Sequence, residues 1–180
     1  SLERAFAFTG RMSLTGLSGG AGAAPNNDVA VGYANVDSNG PFAGIRLSDN
    51  GADATRGRLR YRIVFGDYTA LNGTLSLATF GQVFEVAFAY DPSLGVAGRF
   101  TFTVNATTTS VDLTPSQRAT GIPGLTSFGL VNYGKASSLN ESNTAFFDDL
   151  AYEAGDAEQD SETLAVTVVA RGFQRFSARL

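Results

Sequence analysis

Through most of this chain apolar and polar residues change places at every step, as in Arg4-Ala5-Phe6-Ala7-Phe8, Val83 to Tyr90 and Arg99 to Asn105. Successive side chains of an extended strand leave opposite faces, so a period of two marks a strand with one face in a core. Similar segments run over Met12-Ser13-Leu14-Thr15, Val29 to Val36, Phe42 to Leu47, Arg58 to Phe65, Thr74 to Ala78, Ser110 to Leu113, Leu125 to Val131 and Thr144 to Glu153. No helical pattern lasts beyond about two turns. Polar stretches separate the segments: Ser18 to Asp28 reads as a loop, Asp37-Ser38-Asn39-Gly40-Pro41 as a hairpin turn, and Ser48 to Asp53 as a second turn. Short strands joined by tight turns, with 21 glycines in 180 residues, predict one all-β domain, an antiparallel sandwich or barrel.

What the chain lacks is equally informative. It has no cysteine and no histidine. Disulfide frameworks, Cys/His zinc sites, thiol or Ser-His-Asp nucleophiles and imidazole acid-base chemistry are therefore excluded. A net charge of −4 and a pI near 4.7 speak against a partner held by phosphate contacts, and so against nucleic acid. No apolar run reaches the roughly 18 to 20 residues of a membrane span. Glu3 and Arg4 stand where a leader would carry a basic and then an apolar region, so a mature, soluble segment is expected.

The organisation read from these patterns is a sandwich over 1–153, an acidic crossing or hinge over 154–162, and C-terminal strands over 163–180. Thr163 to Ala170 is the most strand-like stretch of all. These last strands either close the same sandwich or pair with a partner, which would build a homo-oligomer or a fibre.

From Val83 to Tyr152 the order VFEVAFAYDP, GRFTFTVNATT, LTSFGLVNYG and TAFFDDLAYE resembles the second half of the concanavalin A-like, or laminin G-like, jelly rolls of bacterial extracellular proteins. The resemblance implies an antiparallel jelly-roll β-sandwich, secreted or at the cell surface. It also implies a structural calcium against Asp148 or Asp149, on the closing strand. Lectins, carbohydrate-binding modules, adhesion domains, glycoside hydrolases and polysaccharide lyases share that fold, which by itself selects none of these activities.

Three groups of residues are candidate sites. Alternation puts Arg58, Arg60 and Arg62 on one face, about 7 Å apart, with Leu59, Tyr61, Ile63 and Phe65 on the other. Guanidinium forks match carboxylate and sulfate oxygens, so this row could hold an anionic polysaccharide. The bland alternative is a solvated face paired with Glu85 and nearby aspartates. Tyr68, near Asn72, and the pair Asn132 and Tyr133, placed at a loop mouth after the Phe-Gly-Leu strand, offer an aromatic face and an amide to a sugar. Single loop tyrosines are more often packing or plain surface. In Phe146 to Tyr152, Asp148 shares a face with Phe146, Leu150 and Tyr152, and Asp149 one with Phe147 and Ala151. One carboxylate should then lie near apolar packing and need backbone donors, an arginine or a cation.

The expected function is a non-catalytic extracellular binding module for a glycan or other extracellular polymer. The alternative is a structural or adhesive subunit assembling by strand addition, and a glycan-active enzyme comes third. Glycoside hydrolysis usually needs two placed carboxylates, and Glu85 is the only acidic residue within Val83 to Ala89.

Overall fold

Alternation becomes strand nearly everywhere it occurs. The computed structural model describes residues 2–18, 28–35, 40–50, 53–123, 125, 127–133, 142–154, 164–169 and 175–179. In chain order the strands are β1 (Phe6–Ser18), β2 (Asp28–Ala34), β3 (Phe42–Asn50), β4 (Asp53–Val64), β5 (Ala70–Thr79) and β6 (Val83–Asp91). They continue as β7 (Arg99–Val104), β8 (Thr107–Asp112), β9 (Ser127–Tyr133), β10 (Ser142–Ala154), β11 (Leu164–Val169) and β12 (Arg175–Arg179). A short helix α1 (Pro115–Thr120) follows β8.

The strands form two six-stranded antiparallel sheets, ordered β11-β10-β1-β6-β7-β8 and β12-β9-β2-β3-β4-β5. The sheets make a β-sandwich, and the inward members of each alternating pair make its core. Phe8, Met12, Phe84, Phe88, Phe100 and Phe102 come from the first sheet, and Val31, Tyr33, Ile45, Leu59, Ile63 and Phe128 from the second. Rings meet across the interface, Phe8 with Phe128 at 5.4 Å and Tyr61 with Phe102 at 4.8 Å between centroids. Such contacts add to the burial energy that drives the sheets together. Tyr33 also ties the sheets with a hydrogen bond: its hydroxyl lies 2.6 Å from the carbonyl oxygens of Ala7 and Glu153, which face each other on β1 and β10.

The structure departs from the sequence reading in two places. The two opening segments are one strand, because Gly10 occupies an inward position opposite Val86. A Cβ at Gly10 would stand 2.5 Å from Leu150 Cδ2, so the break in the pattern makes room for that leucine. Helix α1 was not foreseen: it buries no residue and leaves no hydrophobic period, and its signal is the capping box of Thr114 and Gln117 with a proline in the first turn. The C-terminal strands pair within the chain, β11 with β10 and β12 with β9, and become the outer strands of their sheets. The loop of residues 19–27, the turn residues 36–39 and 51–52, and the acidic crossing at 155–162 lie outside the described residues.

Candidate functional site

Each sheet turns its second face away from the core, and these two outer faces hold the candidate residues. On the first sheet, β1 supplies Thr9 and Arg11, β6 supplies Glu85 and Ala87, and β7 supplies Thr103, all at outward register positions. β10 adds two carboxylates through an irregularity. Its pairing with β1 passes from Ala151↔Thr9 to Asp148↔Arg11, which leaves one extra residue on β10, and Asp149 takes φ 51. A β-bulge of this kind breaks the alternation locally, and aspartate tolerates the left-handed region better than most side chains. Asp148 and Asp149 are therefore both outward, 52% and 53% exposed, while Leu150 returns to the core at 5%.

The expectation that one of these carboxylates sits in apolar packing is thus corrected. Both instead meet Arg11, whose Nη2 donates to Asp148 Oδ2 at 2.9 Å and to Asp149 Oδ2. Arg11 faces Glu85 on its other side across the β1–β6 ladder. Asn105, at φ 52 in the two-residue turn between β7 and β8, fixes the backbone of Glu85. Its N–H donates to the Glu85 carbonyl at 2.7 Å, and its Oδ1 accepts from the Glu85 N–H at 3.0 Å. The hydroxyls of Thr103 and Thr108 lie 3.0 Å apart alongside.

Together these residues line an open groove of about 530 Å³, walled by Thr9, Gly10, Arg11, Glu85, Val86, Ala87, Thr103, Asn105 and Asp149. Its walls carry one guanidinium and two carboxylates, Glu85 and Asp149, and Asp148 pairs with the same arginine, so the groove disfavours anions and offers acceptors to hydroxyl and ammonium donors. Further along the same face Arg99 and Asp112 form a two-point pair, Nε to Oδ1 at 2.5 Å and Nη2 to Oδ2 at 3.1 Å. Each hydrogen-bonds the charged form of the other, which lowers the carboxyl pKa and raises that of the guanidinium.

The outer face of the second sheet carries Arg58, Arg60 and Arg62 as expected, with Arg46 added as the Cα partner of Arg60. Arg62 Nη1 donates to Asn72 Oδ1 at 3.2 Å. Glu85 cannot pair with these arginines, because it belongs to the outer face of the other sheet. This face is also largely covered: Ala30, Phe42 and Val64 are 0%, 1% and 4% exposed. A row of glycines, Gly129, Gly32 and Gly44, crosses three strands here, and Phe42 lies over Gly44, where a Cβ would come 2.8 Å from its ring.

The remaining candidates lie apart. Tyr68, 68% exposed and at φ 64, sits in the β4–β5 turn. There Thr69 donates its N–H and hydroxyl to Asp67, at 3.0 and 2.6 Å, and holds that carboxyl below its usual range. Asn132 and Tyr133 are the last residues of β9, and their side chains, like residues 134–141 after them, lie outside the described residues. They pair with Val29 and Asp28, at the opposite end of the sheet from Ala34, Phe42 and Val64, which lead to the Tyr68 turn.

Arg11, Thr103 and Asn105 are site residues that the sequence reading did not select. Arg11 meets its carboxylates 137 and 138 residues away, a separation no local pattern reports. Asn105 alone carried a signal, as a turn residue suited to positive φ. Among the described residues no three acidic, histidine or cysteine side chains gather as a metal-binding group. No protein-family model matches the chain, and a search of curated proteins finds no match either.

Proposed function

We propose that the protein is a non-catalytic binding module that takes a polar polymer, foremost a glycan, in the groove on the outer face of its first sheet. The observation that carries this reading is the groove itself, open to solvent and walled by hydroxyls, an amide, one guanidinium and carboxylates. Groups mounted on paired strands are held in place before a ligand arrives, which lowers the ordering cost of binding. An open channel accommodates a chain longer than itself, whereas small molecules are usually engulfed. The pairing of both aspartates with Arg11 suits recognition better than proton transfer. An extracellular setting and a concanavalin A-like jelly-roll connection belong to the same proposal.

The calcium implied by the resemblance does not fit the donor set as it stands. The ion takes six to eight oxygens, and Asp148 and Asp149 already share Arg11. The second reading, a subunit that assembles by strand addition, is favoured by one observation: β11 and β12 end the two sheets and pair with no further strand among the described residues.

The test is a glycan array probed with the wild type and with Glu85→Gln and Asn105→Ala. Retention of a glycan that both variants bind at least about tenfold more weakly, a loss of about 1.4 kcal/mol, supports the groove. Retention on no glycan, together with self-association in size-exclusion chromatography, would favour the assembly reading.

A further inference from the structure

Beside the groove lies an apolar step. Phe146 and Val83 are 41% and 57% exposed, and both are Cα partners of Ser13, one on each side of β1. They therefore occupy one cross-strand row of the first sheet's outer face. Two residues further along β1 comes the row of Asp148, Arg11 and Glu85. The spacing of two strand residues is about 7 Å. Phe146 is not a displaced core residue: its neighbour Phe147 fills the core position at 3% exposure.

We infer that the ligand of the groove is a pyranose chain and that one of its sugar rings stacks on Phe146; this rests on the binding-module reading. A ligand that crosses both rows must present an apolar surface beside hydrogen-bond donors about 7 Å away. A pyranose does so, with C–H bonds on its ring face and hydroxyls around its edge. The C–H hydrogens carry partial positive charge and meet the negative face of the Phe146 ring, while hydroxyls of the next sugar donate to the carboxylates of Asp148, Asp149 and Glu85.

The same geometry disfavours other occupants. A polyanion meets three carboxylates for one guanidinium. A protein partner needs about 800 Å² of complementary surface on each side, far more than two apolar side chains offer. An acyl chain needs a closed apolar cavity, and this face is open.

The test is calorimetric titration of cellohexaose, chitohexaose and alginate into the wild type, Phe146→Ala and Phe146→Trp, with saturation-transfer NMR from the phenylalanine ring protons. The expected result is binding of at least one neutral hexaose, weakened about tenfold by Phe146→Ala and kept or strengthened by Phe146→Trp. Transfer to sugar protons should fall in the alanine variant, while its melting temperature stays that of the wild type. Equal hexaose affinity of wild type and Phe146→Ala would overturn the stacking and leave the groove standing. Tighter binding of alginate than of either hexaose would overturn the ligand class. Failure of the wild type to bind any glycan would remove the module reading and this inference together.

Discussion

The outer face of the first sheet is open and mixed in charge, with Arg11, Glu85, Asp148 and Asp149 exposed; that of the second is arginine-rich and largely closed over Ala30, Phe42 and Val64. Both faces are built from the outward members of alternating strands. The difference teaches that alternation assigns a side chain to a face without saying whether that face meets water. On the second sheet, small residues at Ala30, Gly32 and Gly44 let Phe42 lie flat and form a minor core outside the sandwich. On the first, side chains of ordinary size stand up from the sheet and leave a channel between them.

The sharpest way to break this comparison is to delete one phenylalanine from each outer face. Phe42→Ala should cost about 3 to 5 kcal/mol, because a buried ring is lost and a cavity is left over the glycine row. Phe146→Ala, on an exposed ring, should stay within about 0.5 kcal/mol. Urea denaturation of the two variants measures both, and equal costs would erase the contrast.

Gly44→Val tests the closed face from the other direction. A Cβ there would meet the Val31 carbonyl and stand 2.8 Å from Gly32 Cα, backbone that cannot swing aside. Overpacking of this kind should destabilise by about 1 to 3 kcal/mol in the same assay.

Tyr33→Phe probes the tie beneath the open face. Loss of the hydroxyl that two carbonyls share should cost about 1 to 2 kcal/mol. Burial pushes the Tyr33 hydroxyl pKa above its ordinary value of 10.0, its two backbone hydrogen bonds opposing the shift only in part. A raised native pKa means that this stability is fully present below pH 10 and is lost as pH rises toward the native value. The phenylalanine variant should therefore lose less stability than the wild type between neutral pH and pH 11, as read by circular dichroism.

Smaller effects belong to the exposed ion pairs. Arg11→Gln should change stability by no more than about 1 kcal/mol, since solvent screens the partners. It also frees the Asp148 and Asp149 oxygens, so millimolar calcium should raise the melting temperature of the variant more than that of the wild type. An equal calcium response would show that Arg11 does not guard these carboxylates. At acid pH the depressed pKa values of Asp67, Asp91 and Asp112 act in the opposite sense to that of Tyr33. Their contribution is present above the ordinary value of 3.8 and is lost as pH falls through the lower native values. Ser93→Ala removes the hydroxyl's hydrogen bond to Asp91, leaves that of the backbone N–H, and should flatten the acid limb of the stability curve slightly.

How much of the site was legible follows from where each signal resides. The common face of Arg58, Arg60 and Arg62 was readable because it depends only on spacing along one strand. The surroundings of Asp148 and Asp149 were not, because a single extra residue on β10 turned both outward. Glu85 was assigned to the arginine row for want of any marker of sheet membership. Phe146 looked like one more apolar strand residue until its register with Ser13 and Val83 set it beside the charged row.

Local rules are thus enough to make this chain all-β: a period of two, frequent glycine and polar turns leave strands as the economical way to bury its phenylalanines. They also dispose of histidine and cysteine chemistry, Cys/His zinc sites included, since residues that are absent cannot act. Which strands become neighbours, which outer face closes, and whether a guanidinium meets two carboxylates more than a hundred positions away were decided only in the tertiary structure. The physical reason is that alternation repeats identically in every strand and carries no address, whereas pairing order and bulges arise from the packing of the whole core.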